Sequence, residues 1–181
     1  MVGGRVESLW TAGAGMDGRA QQPQDFATAF EAAFARLQVV LEMACAGEGS
    51  WVERATVGVR QALEFAAAEP EAASVLTSGA LAQGADGVGR YERLMNYLAG
   101  LLEAGRAESP HGAELPPTTE RSVAGGVAAI VGSRVDRGKE AELDVLLPEV
   151  IQFVLTPYLG TSEAKRIASA AADWPRSQPE R

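Results

Sequence analysis

The sequence predicts an all-α fold, a bundle of about seven helices. Alanine dominates the apolar residues while aromatic side chains make up only 6% of the chain, a composition suited to closely packed helices rather than to sheets built from Val, Ile, Tyr and Thr. Apolar side chains recur at spacings of three and four, the period of a helix with one buried face. Gly and Pro punctuate the chain between these runs.

Residues 1–23 carry Gly3, Gly4, Gly13, Gly15 and Gly18 without apolar periodicity and read as a loose tail, in which Trp10 stands out. Phe26, Phe30, Phe34, Leu37 and Leu41 then fall on one narrow stripe, which predicts a first helix over residues 25–46. Gly47 and Gly49 end it. Ser50 is placed to cap the next helix, Glu53 three residues on completes a capping box, and a second helix follows over residues 51–68. Glu69-Pro70 fits a restart with proline in the first turn, giving a short third helix to residue 83. Gly84 and Gly87 mark the next boundary, after which Val88, Tyr91, Met95, Leu98 and Leu102 trace a fourth helix ending at Gly105. Residues 106–117 read as a loop. A fifth helix runs over residues 118–137, a sixth over 141–159 with Pro148 inside it and Gly160 as its stop, and a seventh over 162–173. Residues 24–173 thus form one helical domain, and residues 174–181 a polar tail.

At 181 residues the chain suits a single core. Its 16 Lys and Arg against 24 Asp and Glu leave a net charge of −8, which repels phosphate backbones and argues against direct DNA binding by this chain. The single cysteine, Cys45, cannot form an internal disulfide, and no run reaches the roughly 18 uninterrupted apolar residues of a membrane span, so a cytoplasmic protein without membrane contact is expected.

Catalytic signals are missing. His111, the only histidine, sits in a Pro/Gly loop with no Cys or carboxylate cluster beside it, so neither a metal site nor general-base work is expected, and no enzyme or cofactor is indicated. Cys45 ends an alanine-rich helix without an obvious basic neighbour and reads as a structural thiol.

The fifth and sixth helices carry more information. Gly125, Ala129 and Gly132 at i, i+4 and i+7 make a small-residue face that lets another helix approach closely. In the sixth, Leu143, Leu147, Val150, Val154 and Tyr158 form one stripe, which Leu146 and Phe153 widen on one side and Ile151, Leu155 and Leu159 on the other. The apolar arc covers about two-thirds of the circumference, wider than one core needs. A homodimer through these two helices is therefore expected, with Gly125, Ala129, Gly132, Val150, Ile151, Val154 and Tyr158 at its interface.

Several short runs, in order, resemble a known family: Trp51-Val52-Glu53-Arg54, Val59-Arg60, Leu63-Glu64-Phe65, Glu69-Pro70, Gly125-Gly126-Val127 with Arg134 and Arg137-Gly138, Leu146-Leu147-Pro148-Glu149, and Pro157-Tyr158-Leu159-Gly160. Over about residues 24–162 the chain resembles the C-terminal effector-binding half of tetracycline-repressor (TetR/AcrR) type regulators. The resemblance implies an all-helical module with an internal pocket for a small apolar or amphipathic effector and a dimer built from the last two long helices. The helix-turn-helix domain that precedes this module in the family has no counterpart in the short Gly-rich stretch before the first helix. The resemblance, and the scarcity of bulky side chains among the alanines, place the pocket between the first, second, fourth and fifth helices, lined by Phe34, Leu37, Leu41, Phe65, Leu81, Tyr91 and Met95. The competing expectation is a helical interaction protein that pairs with a paralogous regulator or another partner and holds no ligand.

Overall fold

The computed structural model describes residues 23–47 and 49–172. Among them the protein is an all-α bundle of seven helices without a strand: α1 (Pro23–Cys45), α2 (Trp51–Ala68), α3 (residues 70–82), α4 (Ala85–Leu102), α5 (Thr119–Val135), α6 (Leu143–Leu159) and α7 (Thr161–Ala172). Helix α3 begins as Pro70–Ser74, widens into a π turn at Val75–Gly79 and resumes at Ala80–Ala82. Helical turns at Gly105–Glu108 and Gly112–Glu114 bridge α4 to α5, and one at Glu140–Glu142 leads into α6. The tails expected over 1–23 and 174–181, with Trp10, lie outside the described residues, except that Pro23 opens α1.

Local chemistry accounts for the helix ends. The Ser50 hydroxyl accepts the Glu53 N–H at 3.3 Å and the Glu53 carboxylate accepts the Ser50 N–H at 2.8 Å, the reciprocal capping box expected from the sequence. Pro70 occupies the first turn of α3, where its missing N–H costs nothing. Helices α5 and α6 stop at Gly138 (φ 64°) and Gly160 (φ 76°), in the left-handed region that favours glycine. The π turn was not foreseen: a Cβ on Gly79 would lie 2.9 Å from the Ser74 carbonyl oxygen, so the widened turn depends on glycine there.

Two buried clusters build the core. Around α1, Phe26, Phe30, Phe34, Leu37 and Leu41 meet Leu76 of α3 and Leu94 and Met95 of α4. The rings of Phe26, Phe30, Phe34 and Tyr97 follow one another at centroid separations of 6.3, 6.0 and 5.6 Å. Phe30 has no exposed surface, and burying such a side chain contributes about 1.5–3 kcal/mol. Around α6, Trp51 and Leu63 of α2 pack with Val150, Ile151, Val154 and Tyr158, and α7 closes the cluster with Ala164, Ala168 and Ala171. Helix α5 serves both, giving Val123 and Val131 to the α6 cluster and Ala124 and Ala128 to the α1 cluster. Arg60 of α2, 9% exposed, donates to the Ala171 carbonyl at 2.9 Å, placing a cation at the C-terminal end of α7.

This packing corrects the interface expected from the sequence. Val150, Ile151, Val154 and Tyr158 are each 0–2% exposed within a single chain, because α2 and the alanine face of α7 already cover them. Neighbours on two sides thus cover most of the wide apolar arc of α6, Phe153 excepted. Gly132 is also internal: a Cβ there would lie 2.9 Å from the Thr77 hydroxyl of α3. Of the seven residues only Gly125 and Ala129 face outward, with Gly125 meeting nothing and Ala129 exposed. The outward side of α5 and α6 instead carries Phe153, 41% exposed and lying over Gly126, with Ile130 and Leu146 half-buried.

Candidate functional site

Where the two clusters fail to close on each other, a cavity of about 320 Å³ opens between α1, α2, α4 and α5. Small residues make the space. Ala55, Gly58 and Ala62 fall at i, i+3 and i+7 on one face of α2, and Ala124 faces them from α5. A Cβ built on Gly58 would find only the Cys45 thiol within 4 Å, at 3.4 Å. Leu98, Leu101 and Leu102 line the cavity from α4, Val123 and Val127 from α5, and Leu41 and Val154 close it from α1 and α6.

The wall is almost wholly aliphatic, and its polar groups gather at one end. There Cys45 donates to the Arg54 carbonyl at 3.7 Å. The Arg54 guanidinium donates to Glu108 at 2.9 Å and also to the Gly49 carbonyl. Glu108 accepts the Trp51 N–H at 2.8 Å through its other oxygen, so it ties the turn after α4 to the start of α2. The Trp51 N–H and the Arg54 side chain hold the Glu108 carboxyl below its ordinary range. Cys45 does have a basic neighbour, contrary to the reading of the sequence. Burial nevertheless outweighs Arg54 and pushes the thiol up, away from the thiolate form.

The structure separates the pocket residues expected from the sequence. Leu41 lines the cavity. Leu37 and Phe65 line a smaller void of about 60 Å³ that shares Ala62, Leu98 and Val127 with the main cavity. Phe34 and Met95 are packed into the α1 cluster, Phe34 against the rings of Phe30 and Tyr97. Leu81 is 51% exposed on the last turn of α3, pointing away from the bundle interior, and with half-buried Tyr91 it borders an outer groove that includes Gly132, Asp136 and Arg137. Both residues thus lie outside the cavity. Sequence reasoning located the four helices and missed most of the wall, since it looked for bulky side chains. The small stripe Ala55, Gly58 and Ala62 was the available signal.

A groove of about 450 Å³ between α2 and α7 is larger, but Glu53, Glu163 and Arg166 rim it and it lies open on the surface. His111 is exposed, and among the described residues no three His, Cys, Asp or Glu side chains converge as a metal site. No helix among them is long and apolar enough to cross a membrane. Comparison with protein-family models, curated proteins and solved structures finds no match to this chain.

Proposed function

We propose that this chain is the small-molecule-binding and dimerisation module of a tetracycline-repressor-type transcriptional regulator, acting without direct DNA contact of its own. The observation that carries the reading is the 320 Å³ aliphatic cavity between α1, α2, α4 and α5, within the size range of ligand sites and placed between the same four helices that the resemblance implies. The motif residues add support: Trp51 and Tyr158, from two of the runs on which the resemblance rests, pack at a ring separation of 4.5 Å in the α6 cluster. Dimerisation is proposed through the outward face of α5 and α6, where Phe153 stands exposed over Gly126 and Ala129 is exposed on α5.

The test of ligand binding is a native mass spectrum of freshly purified protein combined with thermal unfolding against a panel of apolar and amphipathic compounds. A ligand at about 100 times its dissociation constant should add roughly 2.7 kcal/mol of stability, a readily visible rise in Tm. A panel without a single shift, and a spectrum without bound mass, would leave the helical interaction protein as the better reading.

A further inference from the structure

We propose that the cavity takes an aliphatic carboxylate of medium chain length, with Arg54 receiving its head group; this rests on the ligand-binding reading and names the ligand class. Three features of the wall point to that chemistry. Its apolar part is built from Leu, Val, Ala and Gly, with no aromatic ring, so a flat aromatic ligand has nothing to stack on and a quaternary ammonium has no cage. Its volume of about 320 Å³ lies at the small end of the range for ligand sites, which suits a single chain of medium length better than a bulky polycyclic ligand. Its polar end offers donors. Arg54 is the one charged lining residue, and two of its five N–H donors serve Glu108 and Gly49, which leaves donors for an incoming acceptor.

Glu108 competes for the same cation. It is not part of the cavity wall, and its second oxygen is held by the Trp51 N–H. A carboxylate that reached the Arg54 guanidinium would compete with Glu108 for it and weaken the link between the turn at Gly105–Glu108 and the start of α2. Ligand binding is in this way connected to the segment that leads from α4 towards α5.

Calorimetric titration of the full chain with decanoate, decanol, decyltrimethylammonium and naphthalene tests the assignment. Decanoate should bind most tightly, and Arg54→Met should lower the ratio of decanoate to decanol affinity at least tenfold, as loss of a charge-assisted hydrogen bond requires. Gly58→Leu should fill the cavity and abolish binding of both while the chain stays folded, since leucine is also the better helix former. Should Arg54→Met fail to fold, Glu108→Gln provides the complementary measurement: it removes the competing charge, retains an acceptor for the Trp51 N–H, and should raise the decanoate preference several-fold. Decanol, decyltrimethylammonium or naphthalene binding more tightly than decanoate would overturn the ligand class and leave the ligand-binding reading standing. An unchanged decanoate-to-decanol ratio in either charge variant would overturn the role of Arg54. Failure of all four compounds to bind would overturn the assignment, and the earlier survey of co-purified mass decides separately whether the cavity binds anything.

Discussion

Glu120 is the most consequential buried charge. It sits in the first turn of α5, 5% exposed, where its carboxylate accepts from Arg106 at 2.8 Å and from the Tyr158 hydroxyl at 3.4 Å. Arg106 also donates to the carbonyls of Leu115 and Pro116, so one guanidinium gathers the whole connection between α4 and α5. Burial alone would raise the Glu120 pKa. The hydrogen bond and charge of Arg106, a backbone N–H and the Tyr158 hydroxyl together outweigh it and hold the carboxyl below its ordinary value, while burial and the adjacent carboxylate push the Tyr158 hydroxyl far up, so Tyr158 remains a donor. A lowered folded-state pKa means that the ionised carboxylate stabilises the protein fully above the unfolded value, and that this contribution disappears as pH falls through the lowered folded value. Urea unfolding should therefore show stability declining as pH drops below about 4.3, the ordinary glutamate value, with a shallower decline in Glu120→Gln. Equal slopes in the two proteins would show that other carboxylates carry the acid response.

At the scale of the element, α2 does the most varied work. Its first turn is held by Ser50, Glu53 and Glu108, one face carries Trp51 and Leu63 into the α6 cluster, and another supplies the small wall of the cavity. The close fit extends beyond the helix. A Cβ on Gly105 would lie 2.6 Å from the Trp51 ring, so glycine lets the turn after α4 sit on the indole. Ser50→Ala removes the hydroxyl that accepts the Glu53 N–H and should cost about 1 kcal/mol, measured as a drop in the urea midpoint with unchanged slope. A loss below a few tenths would mean that Glu108, which accepts the Trp51 N–H, satisfies the helix start by itself.

For the whole molecule, neighbouring positions on α6 should answer differently to the same substitution. Val154 is 2% exposed and lines both the core and the cavity, so Val154→Asp buries an unpaired carboxylate and should unfold the chain or destabilise it by several kcal/mol. Phe153 is 41% exposed on the open face, so Phe153→Asp should leave the helical circular dichroism intact and convert the proposed dimer into a monomer by light scattering. A folded Phe153→Asp protein that still has twice the monomer mass would move the interface elsewhere.

Much of this architecture was legible in the chain because its determinants are local. The Phe26, Phe30, Phe34, Leu37 and Leu41 stripe, the Ser50/Glu53 capping box, Pro70 and the glycines that end α5 and α6 each act within a turn or two, so the helix boundaries followed from spacing and cap chemistry. The helices that bound the cavity were legible too. What spacing could not decide was which neighbour covers each face. An apolar arc on α6 looks the same whether α7 or a second copy lies against it, and the tertiary structure settles that Val150, Ile151, Val154 and Tyr158 face inward. The cavity wall was equally out of reach, because an empty space is a relation among helices distant in sequence. Ala55, Gly58 and Ala62 acquire meaning only when Leu98 and Val127 stand opposite them at a distance their short side chains cannot fill.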